Sequence, residues 1–179
     1  MKKTLALCLM FVLCIVASAQ HMKFMGIPLD GTISAFTVKL QVKGIKISPY
    51  NKYASVGRRL FCGTFYGQAA DIFVFYNPST KIVYRAKAVI SRQNLNPLKD
   101  LYDNISASID GKYKGRHKEG TYEGRESMHY DIDLKTSVDY YEGTIDLYFS
   151  EDDDAYYLHV DYYDEANMRK HVRSINNDI

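Results

Sequence analysis

Apolar residues recur every three to four positions in some stretches of this chain and every second position in others, and the two kinds of stretch follow a fixed order. Ile33, Phe36 and Leu40 sit at helical spacing after Asp30 or Thr32, either of which can cap the helix, and Gly44 is the stop signal. Three strand signals follow. Leu60 to Tyr66 is aromatic and apolar, and Ile72 to Tyr76 is a continuous apolar run. Asn77-Pro78-Ser79-Thr80 is turn chemistry, and Ile82 to Ile90 sets Arg85 and Lys87 on one face. The pattern predicts a helix and then a meander of three strands.

The second half repeats that order. Asn96-Pro97 opens a helix with Leu98, Leu101, Tyr102, Ile105 and Ile109 on one stripe, ending near Gly111. Strands are predicted at Met128 to Leu134, Thr144 to Phe149 and Tyr156 to Tyr162, and a closing helix at about Glu165 to Ile175. Strict alternation in these strands means that one sheet face is buried and the other wet. The expected fold class is α+β: an antiparallel sheet with helices packed on one face, built from two tandem helix-plus-three-strand units. The first unit is residues 20–95 and the second 96–179, together forming one globular domain. Whether the two share one continuous sheet stays open at this point.

Residues 1–19 read as a signal peptide. Lys2 and Lys3 are basic, Leu5 to Val16 is apolar, and Ala17-Ser18-Ala19 offers small residues for cleavage, giving a mature chain from Gln20. The apolar run is short for a bilayer crossing, so an exported protein, periplasmic or secreted and without a membrane span, is expected. Cleavage removes Cys8 and Cys14 and leaves Cys62 as the one thiol, which excludes an internal disulfide. Cys62 lies among Leu60, Phe61 and Phe65, where a thiol is expected to act as a small buried hydrophobe. With 46% hydrophobic residues, 25% charged and four prolines, the chain is neither disordered nor fibrous.

Charge is divided unevenly. Residues 20–98 carry 11 basic side chains against the acids Asp30 and Asp71, whereas residues 99–179 carry 10 basic against 19 acidic. The halves can neutralise each other where they meet, or present a bipolar surface to a charged partner. Nucleic acid is not an expected partner, because the basic half would carry an equally acidic half toward the phosphates.

Several segments bear a resemblance. Lys23-Phe24-Met25-Gly26-Ile27-Pro28-Leu29-Asp30-Gly31-Thr32, Phe61-Cys62-Gly63-Thr64-Phe65-Tyr66-Gly67, Tyr140-Tyr141-Glu142-Gly143-Thr144-Ile145 and Asn176-Asn177-Asp178-Ile179 are similar to a group of small exported proteins of gut Bacteroidetes. That group brings no catalytic residues to carry over. The tandem helix-plus-meander plan also resembles the architecture of β-lactamase inhibitor proteins, and this likeness implies an exposed sheet that grips another protein.

With Met128, Ile132, Ile145, Leu147, Leu158 and Val160 in the core, the opposite face displays His129, Asp131, Asp133, Asp146, Tyr148, Tyr157, His159, Asp161 and Tyr163. Eleven of the 16 tyrosines follow residue 98, and such amphipathic rings suit recognition surfaces. Imidazoles and carboxylates on neighbouring strands are also metal-ligand types, but no spacing motif joins them, and no metal or cofactor is expected. Glu151-Asp152-Asp153-Asp154 reads as a solvated hairpin tip rather than a calcium loop. Lys112, Lys114, Arg116, His117 and Lys118 read as a charged loop between helix and strand. The leading expectation is a non-enzymatic interaction module whose open sheet face binds an envelope or extracellular protein. The alternatives are a glycan-binding module that stacks tyrosines on sugars, and a hydrolase using His129 or His159 with a carboxylate.

Overall fold

The computed structural model describes residues 21–113, 116–132 and 143–176. The signal-peptide reading, Cys8, Cys14 and Asp133 therefore lie outside the described residues.

The chain is α+β. A two-stranded hairpin, β1 (Lys23–Phe24) and β2 (Ile27–Pro28), leads into helix α1 (Ile33–Val42). Four strands follow: β3 (Lys46–Ile47), β4 (Arg58–Phe65), β5 (Gln68–Tyr76) and β6 (Val83–Arg92). Helix α2 (Asn96–Tyr113) precedes β7 (Arg116–Tyr122), β8 (Arg125–Ile132), β9 (Gly143–Glu151) and β10 (Tyr156–Asp164), and α3 (Glu165–Asn176) closes the order. One antiparallel sheet runs β3-β4-β5-β6-β10-β9-β8-β7, so the two halves join where β6 pairs with β10.

Each half adds one strand to the large sheet beyond those the alternation announces, and the first half also holds the β1–β2 hairpin. β3 is only two residues long, and β7 is a polar edge strand with no buried stripe to betray it. The basic run read as a loop is thereby divided: Lys112 lies in the last turn of α2, Lys114 is outside the described residues, and Arg116, His117 and Lys118 belong to β7.

Local chemistry sets the elements. Thr32 caps α1 by accepting the Ala35 N–H at 3.3 Å, a bond that contributes about 1 kcal/mol. Glu123 and Gly124, both at positive φ, turn β7 into β8 as a two-residue loop whose twist matches the strands it joins. Asp152 Oδ1 accepts from the N–H groups of Asp154 and Ala155, closing the acidic hairpin tip between β9 and β10.

The core is the layer between the helices and one face of the sheet. Ile72, Val74, Ala86, Ala88, Ile90, Ile145, Leu147, Leu158 and Val160 from the strands meet Phe36, Leu40, Leu98, Ile105 and Ile109 from the helices. Burying each large aliphatic side chain of this set stabilises by roughly 1.5–3 kcal/mol. Tyr130 is wholly buried with its hydroxyl 2.6 Å from Ser106 Oγ, so the polar end is satisfied inside the core. The N-terminal segment is fastened to the other end of the chain. Asp164 at the end of β10 accepts from the Met22 N–H at 3.0 Å, from His21 Nδ1 at 2.8 Å and from the Asn167 N–H at 2.9 Å.

Candidate functional site

The three helices take one face of the sheet. Among the described residues, the other face carries every second residue of β4 to β10 with no element packed over it. Register places Leu60, Phe73, Lys87, Asp161, Asp146, His129 and Lys118 side by side in one row across seven strands. A second row holds Arg58, Phe75, Arg85, Tyr163 and Thr144.

Of the residues read from the sequence as a binding face, His129, Asp131, Asp146, Tyr148, His159, Asp161 and Tyr163 come together here. Tyr157 shares the face but stands at its end, where its hydroxyl donates to Asp152 of the hairpin tip.

Asp161 is on this face and yet has no exposed surface, because Arg85 covers it. Arg85 Nε donates to both carboxylate oxygens at 2.9 and 3.2 Å, Nη2 adds a third bond, and the Tyr163 hydroxyl donates at 3.1 Å. Such a forked pair holds a buried charge in a fixed geometry. Burial pushes the Asp161 carboxyl above the ordinary aspartate range, against the downward pull of Arg85. The guanidinium is itself gripped between the rings of Phe75 and Tyr163, 4.4 and 4.8 Å from their centroids. The expected neutralisation between basic and acidic halves is realised at this seam.

His129 stands between two carboxylates, with Nδ1 donating to Asp146 and Nε2 donating to Asp131 at 3.2 Å. Only the imidazolium can donate through both nitrogens. Partial burial works against the charge, but the bonds to Asp146 and Asp131 prevail and the pKa is raised. His159 goes the other way. Burial and the neighbouring Lys87 and Arg85 bring its pKa down to about 4, so the ring is neutral at pH 7. Its Nε2 lies 2.7 Å from Ser150 Oγ, its Nδ1 is buried with no partner, and Tyr148 stacks flat on it. Burial pushes the Tyr148 phenol up to about 12. Tyr122, at the far side, leans on Tyr148 with ring centroids 4.6 Å apart. Arg85, Tyr122, Ser127, His129, Asp146, Tyr148 and Tyr163 wall a shallow cavity of about 390 Å³.

Chemically, Ser150 and His159 form two parts of a nucleophilic triad, with no carboxylate on Nδ1 and a ring too weakly basic to take a serine proton near neutrality. Among the described residues, no group of three histidine, cysteine or carboxylate side chains is placed to hold a metal ion. Cys62 is not a core thiol. Because Phe61 and Phe65 point inward, alternation turns Cys62 to the open face, where it is half-buried opposite Asp71.

Sequence reading missed Arg85, Lys87 and Arg58 as members of this face. The alternation of Arg85 and Lys87 with Ala86 and Ala88 is visible in the chain, and the pairing of β6 with β10 is what adds them to the site. Comparison with protein-family models, curated proteins and solved structures gives no match.

Proposed function

We propose that this chain is an exported, non-enzymatic interaction module that binds an envelope or extracellular protein through the open face of its sheet. The carrying observation is the uninterrupted row from Leu60 to Lys118, which sets apolar, cationic, anionic and imidazole side chains next to one another on a face that no described element covers. Half-buried rings and fixed ion pairs are favourable for recognition, because little side-chain freedom remains to be lost on binding. The fixed Arg85–Asp161 pair and the stacked Tyr148 and His159 give this face one defined shape rather than a mobile one.

The test is capture by mature Gln20 to Ile179 from envelope and secreted extracts, followed by Asp131→Lys with Asp146→Lys against the retained protein. Both carboxylates are partly exposed, so the double variant changes the face and leaves the buried Asp161 in place. At least a tenfold loss of affinity is expected. Unchanged affinity would remove the face from the account, and saturable binding of a soluble glycan with no protein retained would transfer the reading to carbohydrate recognition.

A further inference from the structure

Among the described residues, the ion pairs of the open face leave two cations, Lys87 and Arg58, unanswered. Asp161 is fully engaged by Arg85, while Lys87, the next open-face residue along β6, has no hydrogen bond or ion pair among the described residues. Lys87 is half-buried, its ammonium 5.6 Å from the centre of the Phe73 ring. Arg58, two strands away on the same face, has its Nε buried with no acceptor. Arg58, Arg85 and Lys87 together face one carboxylate, an excess of two positive charges, and His159 beside them is held neutral. Burial, with Arg85 and Arg58 as further contributors, lowers the Lys87 pKa despite the opposing pull of Asp161. A fold gains nothing by keeping the Arg58 Nε–H buried without an acceptor, since such a donor costs stability.

We propose that Lys87 and Arg58 form a carboxylate-binding spot, and that the protein partner inserts an aspartate or glutamate side chain between them over the apolar floor of Leu60 and Phe73. The inference rests on the open face being the binding surface and adds what the partner presents there. An acidic side chain fits on two counts: its oxygens take the unused donors, and its methylene stem lies on Leu60 and Phe73. A half-buried cation that meets its acceptor only in the complex adds little stability to the free protein and strengthens binding.

The test pans two phage-displayed libraries on the mature chain: twelve-residue peptides with a fixed central glutamate, and the same design with a central glutamine. Enriched peptides are then titrated against the parent chain, Lys87→Met, Arg58→Met, Asp146→Lys and Tyr122→Ala. Lys87→Met folds, because it removes a desolvated charge, and its urea midpoint is expected to equal or exceed that of the parent. Enrichment from the glutamate library alone is expected, with affinity falling about tenfold in Lys87→Met and in Arg58→Met. Converting the peptide glutamate to glutamine should cost at least the same factor in the parent and a smaller factor in Lys87→Met, where Arg58 alone remains to meet it. Peptides sensitive to Asp146→Lys or Tyr122→Ala but indifferent to Lys87→Met and Arg58→Met would overturn the carboxylate spot and leave the face standing. Peptides indifferent to all four substitutions would overturn the face itself. Heparin binding that Lys87→Met abolishes, with no glutamate-dependent peptide, would overturn the assignment to a protein carboxylate.

Discussion

Tyr148 lies flat on the imidazole of His159, with ring centroids 4.5 Å apart and planes 7° from parallel. The stack shields one side of a histidine whose burial, together with Lys87 and Arg85, lowers its pKa from 6.5 to about 4. A histidine held neutral in the folded state but free to protonate when unfolded stabilises fully above pH 6.5, and that stability is lost as pH falls toward about 4. His159→Phe keeps the stack and removes the titration. Urea unfolding at pH 7.5 and 4.5 should therefore show a smaller acid-side loss in the variant than in the parent. Equal losses would mean that His159 is solvated.

Asp161 and Asp146 are neighbours on one row, but their removal should have unequal effects. Asp161→Asn leaves the Arg85 guanidinium, only 23% exposed, without its counter-charge, and a broken buried pair costs about 3–5 kcal/mol. Asp146 and His129 are 31% and 41% exposed, so Asp146→Asn should change stability by less than ~1 kcal/mol. Denaturant midpoints measured side by side check both. Similar shifts in the two variants would show that Arg85 is not the anchor of this face.

His21 ties the start of the described chain to β10, and the bond to Asp164 raises its pKa despite partial burial. The sign is opposite to that of His159. The stability from this pair is complete below pH 6.5 and is lost as pH rises through the elevated pKa. Replacing His21 with alanine should therefore cost more at pH 5.5 than at pH 8.5, and an NMR titration of the imidazole should place its midpoint above 6.5. A midpoint at or below 6.5 would count against the contact.

Gly143 opens β9 directly under Met22. A Cβ there would fall on the Met22 side chain and 2.7 Å from the carbonyl oxygen of Tyr163. Because that oxygen is backbone, the strand itself would have to shift, and Gly143→Ala should destabilise by about 1–3 kcal/mol. At ~2–4 °C per kcal/mol the loss is visible in a thermal melt. An unchanged Tm would show that the N-terminal segment is not packed on β9.

Alternation made much of this architecture legible, because β8, β9 and β10 each bury one face and wet the other, while β5 shows as an unbroken apolar run. Where burial does not alternate, the reading stopped. β7 is polar along its length and passed for a charged loop, and β3 is too short to carry a period. Strand order is a second kind of information that no single strand contains. His129, Asp146 and His159 could be assigned to a common face from their own half. Arg85 and Lys87 could not join them until β6 was paired with β10, and only the Arg85 contact distinguishes a buried Asp161 from an exposed one.

The β6–β10 seam also governs how the face comes into being. Arg85 and Asp161 are 76 residues apart in sequence, and closing so long a loop is paid for in chain entropy before any contact across it is gained. On this physics the local hairpins β4–β5 and β9–β10 are expected to form before the seam that joins the two halves. Its product is the surface on which recognition is proposed to occur, so neither half of the chain, expressed alone, would present that surface. A chain in which β6 and β10 are not yet paired would lack that surface.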